Sequence, residues 1–238
     1  MNGMKPDCMD DFIFTNQTER STLELILARK LPFPFCGISG ILLHGNYGTG
    51  KTTLAELLPN LIERSYSGEY NLENGAGRMT VFEDGCVDHY MFRCGGGLST
   101  TTITNTVNKA NEFNPYSKYS GHDFFVFDEI DKLTTGAQQS LKSLMGLKRA
   151  MFIFTTNFLH KVDVGVLNRC HVIEMNQSTN LNDYLSIAQN ILSNMKLSVS
   201  AINSQQVSAF AQKAKGSLRE FSSKIVIEGI KLGGIAPT

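Results

Sequence analysis

The stretch ILLHGNYGTGKTT, residues 41–53, decides the fold. Its part from 45 to 52 fits the phosphate-loop pattern G-x-x-x-x-G-K-[S/T]. The three apolar residues before the turn predict a buried strand, and TTLAELL at 52–58 predicts the helix that follows. Glycines let the backbone turn its N–H groups towards an anion, above the positive end of the helix dipole. The stretch therefore predicts a site for the phosphates of a nucleotide.

Two residues of this loop have an expected chemical task. Lys51 can reach the outer phosphates, and the hydroxyl of Thr52 can ligate Mg²⁺. A plain glycine-rich surface turn is the alternative, but the strand before the loop and the helix after it favour nucleotide binding. The predicted nucleotide-binding loop consists of Gly45, Asn46, Tyr47, Gly48, Thr49, Gly50, Lys51, Thr52 and Thr53.

The composition gives no global signal for a partner. Of 238 residues, 22 are Lys or Arg and 22 are Asp or Glu, so any surface for nucleic acid must be local. The five cysteines are odd in number and contain no C-x-x-C pair, which favours reduced thiols over a zinc site or a disulfide framework. The polar, acidic start and the lack of an apolar run of about 20 residues favour a soluble, cytoplasmic protein without a membrane segment.

Strand and helix signals alternate over the first three quarters of the chain. Short runs that are apolar on both faces, FFVF at 124–127 and AMFIF at 150–154, suit buried parallel strands. Further strand candidates lie at 41–43, 89–93 and 172–175. The alternation predicts a protein of the α/β class whose parallel sheet is the middle of three α/β/α layers. Together with the phosphate loop, it predicts a P-loop NTPase.

From about residue 178 the strand signals stop. Three helical stretches follow, at 181–195, 204–214 and 217–230. They predict a small all-helical domain after the α/β layers. We therefore place a nucleotide-binding α/β domain at 1–177 and a helical domain at 178–238. The polar, glycine-bearing residues 64–88 predict a loop insertion in the first domain.

The segment FFVFDEID at 124–131 places carboxylates at the end of a hydrophobic strand. In a parallel sheet, the carboxyl ends of the strands form the crevice for ligands, where the phosphate loop also lies. Asp128 would hold Mg²⁺, directly or through water, and Glu129 would activate the attacking water. A turn with solvated acids is the commoner interpretation of such a pair alone, and the phosphate loop favours the functional one.

Three more polar side chains are candidates for the same site. Asn157 ends AMFIFTTN and can hydrogen-bond the attacking water or the γ-phosphate, although asparagine after a strand is more often a turn former. Arg169 in LNRCHVIEM and Arg219 in GSLRE could each be a surface arginine. A phosphoryl transition state, however, is stabilised by a guanidinium near the γ-phosphate.

The order of GNYGTGKT, FVFDEID, FTTN, NRC and GSLRE resembles the AAA+ ATPases, and most of all their replication factor C clamp-loader branch. In that family these motifs are Walker A, Walker B, sensor 1, an arginine finger and sensor 2. The segment DEIDKLTTGAQQSLKSLM is similar to the family's D-E-A-D-x-M-T-x-x-A-Q-x-A-L-x-x-x-M. The resemblance covers residues 5 to about 232 and implies an ATPase that binds ATP and Mg²⁺.

The resemblance also implies a role for each matched residue. Lys51 and Thr52 would bind phosphates and Mg²⁺, Asp128 and Glu129 would be the metal and water carboxylates, and Asn157 would be sensor 1.

The remaining roles concern the lid, the base and the neighbouring subunit. Arg219, on the helical lid, would contact the nucleotide of its own subunit, whereas Arg169 would reach the nucleotide of the neighbour. KPDCMDDFIFTNQ at 5–17 resembles an N-terminal segment that packs near adenine, which implies that Ile13 lies near the base. A finger that acts in trans implies head-to-tail assembly into a ring or an open spiral.

Three features depart from the family's pattern. Asn168 stands where the family has serine, and residues 64–88 have no counterpart in it. Clamp-loader subunits also continue into a helical collar domain, whereas this sequence ends after the lid, at Thr238. We therefore expect either a homo-oligomer held by the ATPase interface or a hetero-oligomer with a collar-bearing partner.

Three functions fit the sequence. The first is a DNA-dependent ATPase of replication or recombination, of phage, plasmid or mobile-element type, in which GGGLSTTTITNTVNKA at 95–110 contacts phosphates through hydroxyls, N–H groups and Lys109. The second is an ATPase with a protein client, such as a helicase loader, a transposition regulator or a remodelling factor, which the neutral charge balance favours. The third is a nucleotide-gated scaffold with little turnover, which the presence of Glu129 disfavours.

Overall fold

The computed structural model describes residues 6, 8–67, 87, 89–96, 98–112, 119–178, 180–198 and 200–233. The strands are β1 (Gly40–His44), β2 (Tyr90–Arg93), β3 (Asp123–Asp128), β4 (Ala150–Thr156) and β5 (Cys170–Glu174). The helices are α1 (Gln17–Leu27), α2 (Lys51–Tyr66), α3 (Thr100–Glu112), α4 (Thr135–Leu144), α5 (Val164–Leu167), α6 (Leu181–Asn194), α7 (Ser204–Ala214) and α8 (Leu218–Lys231).

The five strands form one sheet in the order β2-β3-β4-β1-β5, and each neighbouring pair is parallel. Each predicted strand is therefore present. Because the strands are parallel, their carboxyl ends lie at one edge of the sheet and their amino ends at the opposite edge. We call these the carboxyl edge and the amino edge.

The central strands are buried on both faces. Successive residues such as Leu42 and Leu43, or Ile153 and Phe154, belong to different hydrophobic clusters. One cluster contains the apolar faces of α1 and α2, and the other contains those of α3, α4 and α5. This burial explains why the strands are uninterrupted apolar runs in the sequence. The predicted α/β/α sandwich is confirmed.

Helices α6, α7 and α8 pack against one another around a third apolar cluster, which we call the lid core. Ile13 from the N-terminal segment also lies in the lid core, whereas its neighbours Phe12 and Phe14 lie in the cluster under α1 and α2. Alternate side chains of this segment thus tie the helical bundle to the α/β layers. The exact division of the chain at 177 and 178 stays a prediction.

Helix α2 differs from its prediction, because it continues to Tyr66 instead of ending at 58. Pro59 lies inside it, and a proline at that place costs about 3 kcal/mol. Leu58 and Leu61 are fully buried on either side of the proline, and their burial favours continuation of the helix. The first residues of the predicted insertion at 64–88 therefore belong to α2, and 68–86 and 88 lie outside the described residues.

The short helix α5 was not predicted from the sequence. It begins after Asp163, whose side chain accepts a hydrogen bond from the Gly165 backbone N–H at 2.7 Å. A single turn of helix is too short to give a periodic pattern. No helix in the described ranges is long and apolar enough to span a membrane.

Candidate nucleotide site

In the turn between β1 and α2, glycines have positive φ angles that residues with a Cβ rarely adopt. Gly45 has a φ of +150°, and a Cβ atom there would lie 2.1 Å from the Met175 carbonyl oxygen. Gly48 has a φ of +78°, and its Cβ would lie 2.5 Å from Ser217 Oγ. Backbone at contact distance therefore favours glycine at 45, and the positive φ favours glycine at 48.

Asn176 holds the start of the loop from the neighbouring strand. Its Oδ1 accepts a hydrogen bond from the Asn46 backbone N–H at 2.7 Å, and its Nδ2 donates to Glu174 Oε1 at 2.7 Å. Its own backbone N–H donates to Thr15 Oγ1 at 2.8 Å. Asn176 was not predicted from the sequence, although it follows β5 much as Asn157 follows β4.

Lys51 begins α2 and is only 7% exposed. Its Nζ donates hydrogen bonds to the Asn46 carbonyl oxygen and, at 3.2 Å, to Thr49 Oγ1. Burial lowers the pKa of Lys51 to about 8, although the negative charges of Asp128, Glu129 and a third acid oppose this shift. The ammonium thus lies within electrostatic reach of the predicted acids.

Thr52 and Asp128 meet across the gap between α2 and β3. Thr52 Oγ1 donates to Asp128 Oδ1 at 2.7 Å, and Thr155 Oγ1 donates to the same oxygen at 2.7 Å. A hydroxyl and a carboxylate are hard oxygen ligands, and Mg²⁺ is bound by one or two such groups together with substrate phosphates and water. The two predicted metal ligands are therefore adjacent, and their chemistry fits Mg²⁺.

Glu129 follows Asp128 in a left-handed backbone conformation, with a φ of +59°. Its backbone N–H donates to Thr155 Oγ1 at 2.9 Å, and its carboxylate forms an ion pair with Lys132. The side chain of Lys132 also lies close to Gly95, in the turn after β2. The predicted catalytic acid thus stands at the carboxyl edge, beside the turn that leads into α3.

Asn157 and Asn46 line the same cleft at the carboxyl edge, which has a volume of about 550 Å³. His44 and Asn176 contribute to the same cleft from the ends of β1 and β5. The structure therefore places the predicted sensor directly after β4, the strand next to β1, in the cleft that the start of the phosphate loop also lines.

Arg219 lies on the other side of the loop, in the first turn of α8. Its backbone N–H donates to the Gly48 carbonyl oxygen at 3.0 Å, and its side chain is exposed.

Phe12 also touches the loop, since its ring lies 3.2 Å from the place of a Cβ on Gly50. Ile13, the predicted base contact, is 3% exposed and packs in the lid core. Thr53 is partly buried in the first turn of α2.

Arg169 is not part of this group. It precedes β5 at the amino edge, and its carbonyl oxygen accepts hydrogen bonds from the backbone N–H groups of Ser39 and Gly40. The length of β1 separates that point from Gly45, a distance of about 16 Å at 3.3 Å per residue. Its guanidinium donates to the Gly165 carbonyl oxygen at 2.8 Å. The nucleotide loop and this arginine therefore lie at opposite edges of one subunit.

A parallel sheet with a phosphate loop after β1 and acids after β3 defines the class of P-loop NTPases. The family model for the ATPase family associated with various cellular activities (AAA) matches residues 41–177. The match spans more than half of the chain, so the chain belongs to this family and is an ATPase. A comparison with curated proteins finds no significant match.

Solved structures of one bacterial protein share this fold. The Thermotoga maritima RuvB Holliday junction branch migration motor superposes with a TM-score of 0.64 at 15% identity, over 97% of this chain and 68% of that chain. A lysine-to-arginine mutant of that RuvB gives 0.63 at 14% identity, over 96% and 68% of the two chains. A proline-to-glycine mutant gives 0.60 at 15%, over 93% and 64%. At such identities the likeness shows the fold alone.

The packing of Gly45 predicts the effect of a single methyl group. We expect Gly45→Ala to lower the affinity for a fluorescent ATP analogue by about tenfold or more and to destabilise the fold by about 1–3 kcal/mol, because the added Cβ meets backbone. Gly136→Ala in α4 is the matched control, since a Cβ there meets no atom within 4 Å. Equal effects of the two substitutions on binding and on urea unfolding would contradict this account of the loop.

The pKa of Lys51 gives nucleotide binding a dependence on pH. Free protein loses the Lys51 proton as the pH rises through about 8, whereas bound phosphates favour the charged ammonium. We therefore expect proton uptake on ATP binding near pH 8 and a falling affinity above it. Calorimetry in buffers of different ionisation enthalpy measures this uptake. Lys51→Arg keeps its charge at these pH values, so it should bind ATP without taking up a proton. Unchanged proton uptake in this variant would show that another group takes up the proton.

Proposed function

We propose that this ATPase is Mg²⁺-dependent, assembles head to tail and works on DNA in replication or recombination, as a clamp-loader-like protein of phage or mobile-element type. The observation that carries the proposal is the separation of Arg169 from the phosphate loop. The loop, the acids and Asn157 occur at the carboxyl edge, whereas this arginine occurs at the amino edge. A second subunit would bring the two edges together.

Hydrolysis would use the groups at the carboxyl edge. Lys51 would hold the outer phosphates, and Thr52 and Asp128 would hold Mg²⁺. When bound, Mg²⁺ neutralises negative charge on the phosphate oxygens. Glu129 would accept the proton of the attacking water, and Asn157 would orient that water against the γ-phosphate. For this step the Glu129 carboxylate has to exchange its ion pair with Lys132 for a bond to water.

The trans role of Arg169 determines the kind of assembly. Because one copy offers the arginine and the next offers the loop, the contact surfaces differ and each copy can add another. Such a heterologous interface generates a ring or an open spiral. We propose a homo-oligomer of identical subunits, and a hetero-oligomer with a collar-bearing partner is the alternative assembly.

The lid would report which nucleotide is bound. Arg219 lies in the first turn of α8, whose backbone bonds the loop at Gly48. Its exposed guanidinium would contact the phosphates of its own subunit. Ile13 would contribute to the wall of the base pocket from the N-terminal segment, in which Phe12 already touches the loop.

The proposal of a DNA substrate rests on two supports. The Thermotoga maritima RuvB with the same fold is a Holliday junction branch migration motor. In this chain, α3 buries Ile103 and Val107 and exposes hydroxyl, amide and ammonium groups, including those of Thr101, Asn105 and Lys109. Such groups suit contacts with phosphates that do not depend on sequence.

A protein client is the second candidate, and the equal numbers of acidic and basic residues favour it. DNA-binding proteins usually carry a basic surface, and a neutral chain must confine that surface to one region.

We infer a cytoplasmic site of action from the odd number of cysteines without a C-x-x-C pair.

Steady-state ATP hydrolysis with and without primed DNA at low salt tests this function. We expect DNA to stimulate turnover and Glu129→Gln to lower kcat by about a hundredfold or more, because the general base is lost. High ATP turnover that DNA does not change would contradict a DNA substrate and favour a protein client. Wild-type turnover in Glu129→Gln would refute the proposed site.

Mixing variants tests the trans role of Arg169. Arg169→Ala keeps an intact loop, and Lys51→Ala keeps an intact arginine, so each should be inactive alone. A random mixture of the two should recover about a quarter of wild-type turnover, because about one interface in four then joins an intact loop to an intact arginine. Lys51→Ala mixed with Glu129→Gln is the control, since both changes lie in the same site and no interface is complete. If the mixture of Arg169→Ala and Lys51→Ala recovers no turnover, the proposal that Arg169 acts in trans is refuted.

A further inference from the structure

Thr155 on β4 contacts both predicted acids, and within the FTTN motif the sequence assigns a role to Asn157 but none to Thr155. It is 1% exposed and lies two residues before Asn157. Its neighbour in the sheet is the end of β3, because Phe154 pairs with Phe127 in the register of the two parallel strands. The hydroxyl of Thr155 therefore lies next to Asp128 at the carboxyl edge.

One hydroxyl group makes two different hydrogen bonds there. Thr155 Oγ1 donates its single proton to Asp128 Oδ1 at 2.7 Å and accepts from the Glu129 backbone N–H at 2.9 Å. A hydroxyl has one donor and two acceptor sites, so both bonds can exist at once. Asp128 Oδ1 also accepts from Thr52 Oγ1 at 2.7 Å. Two hydroxyls thus converge on one carboxylate oxygen.

The second bond concerns the backbone direction at Glu129. This residue has a φ of +59°, in the left-handed region that residues with a Cβ rarely adopt. Such conformations persist only when the surroundings hold them. The Thr155 hydroxyl holds the N–H of Glu129 from the neighbouring strand.

We propose that Thr155 is a positioning residue that aims both acids, Asp128 at the metal and Glu129 at the attacking water. The inference rests on the proposed function of those two acids. The Thr155 hydroxyl orients the Asp128 carboxylate by donating a hydrogen bond to it. It holds the Glu129 backbone by accepting a hydrogen bond from the Glu129 N–H. It thereby links the strand that carries Asn157 to the acids of β3. Its loss weakens Mg²⁺-dependent binding and the chemical step together.

Thr156 is a useful contrast on the same strand. It is fully buried, and its hydroxyl donates to Asp131 Oδ1 at 2.6 Å and accepts from the Phe158 backbone N–H at 3.0 Å. The two adjacent threonines therefore bond different partners: Thr155 bonds both Asp128 and Glu129, whereas Thr156 bonds Asp131 and Phe158.

The test removes the Thr155 hydroxyl at constant shape. Thr155→Val keeps the β-branched side chain, and Thr155→Ser restores the hydroxyl. Ser39→Ala is the stability control, because it removes another buried hydroxyl, bonded to the Met145 carbonyl oxygen at 2.7 Å, at the amino edge. For each protein we would measure kcat, the affinity for a fluorescent ATP analogue with and without MgCl₂, and the melting temperature.

We expect Thr155→Val to lose about tenfold or more in kcat and in the Mg²⁺-dependent part of the analogue affinity, as is usual for partners of metal ligands. Affinity measured without Mg²⁺ should stay within about twofold, because Lys51 and the loop are intact. Thr155→Ser should recover most of both losses, and Ser39→Ala should show neither, even if it melts earlier.

Two results would overturn the inference. One is wild-type kcat and Mg²⁺ dependence in Thr155→Val, and the other is a Thr155→Ser variant no better than Thr155→Val. If the valine variant does not fold, Thr155→Ala compared with Ser39→Ala decides by the same criteria. Glu129→Gln distinguishes a failure of the proposed function from a failure of the inference about Thr155. Full activity of Glu129→Gln refutes the proposed function, whereas an inactive Glu129→Gln beside an unaffected Thr155→Val refutes only the role of Thr155.

Discussion

Burial of the central strands on both faces is the constraint on which the site depends. A polar side chain within β1, β3 or β4 would meet an apolar cluster above or below, so the polar groups cluster where the strands end. The parallel registers then set which ends meet. Thr52, just after the β1 loop, reaches Asp128 at 2.7 Å. A slip of two residues between strands would move one partner by about 6.6 Å and break that contact. Packing of the sheet interior therefore fixes distances at its carboxyl edge.

The lid is attached to the same edge through backbone as well as side chains. The first turn of α8 donates an N–H to the Gly48 carbonyl oxygen, and Ser217 lies where a Cβ on Gly48 would be. The N-terminal segment adds a second link, because Phe12 touches the loop while Ile13 is buried in the lid core. A shift of the loop backbone on nucleotide binding would therefore displace two parts of the lid at once. Packed side chains and hydrogen bonds such as these can carry energetic coupling between two parts of a fold.

The sequence alone predicts the α/β architecture, because the signals for the strands and for the phosphate loop are local. Uninterrupted apolar runs predicted β3 and β4, and glycine spacing predicted the phosphate loop. It did not predict the roles of Asn176 and Thr155, because each bonds a residue more than twenty positions away and the contact follows only from the strand order. The continuation of α2 past Pro59 was missed for a related reason. Tertiary burial of the helix outweighed a local signal for its end.

The position of Arg169 follows from the same sheet geometry. Its carbonyl oxygen bonds the start of β1, and its guanidinium bonds the Gly165 carbonyl oxygen, so its own subunit holds the side chain before any neighbour arrives. That bond occupies one of the five N–H donors of a guanidinium. A side chain already ordered loses less conformational entropy when it meets a phosphate than a mobile one would. A held arginine at the edge opposite to the nucleotide is the arrangement that the proposed trans action needs.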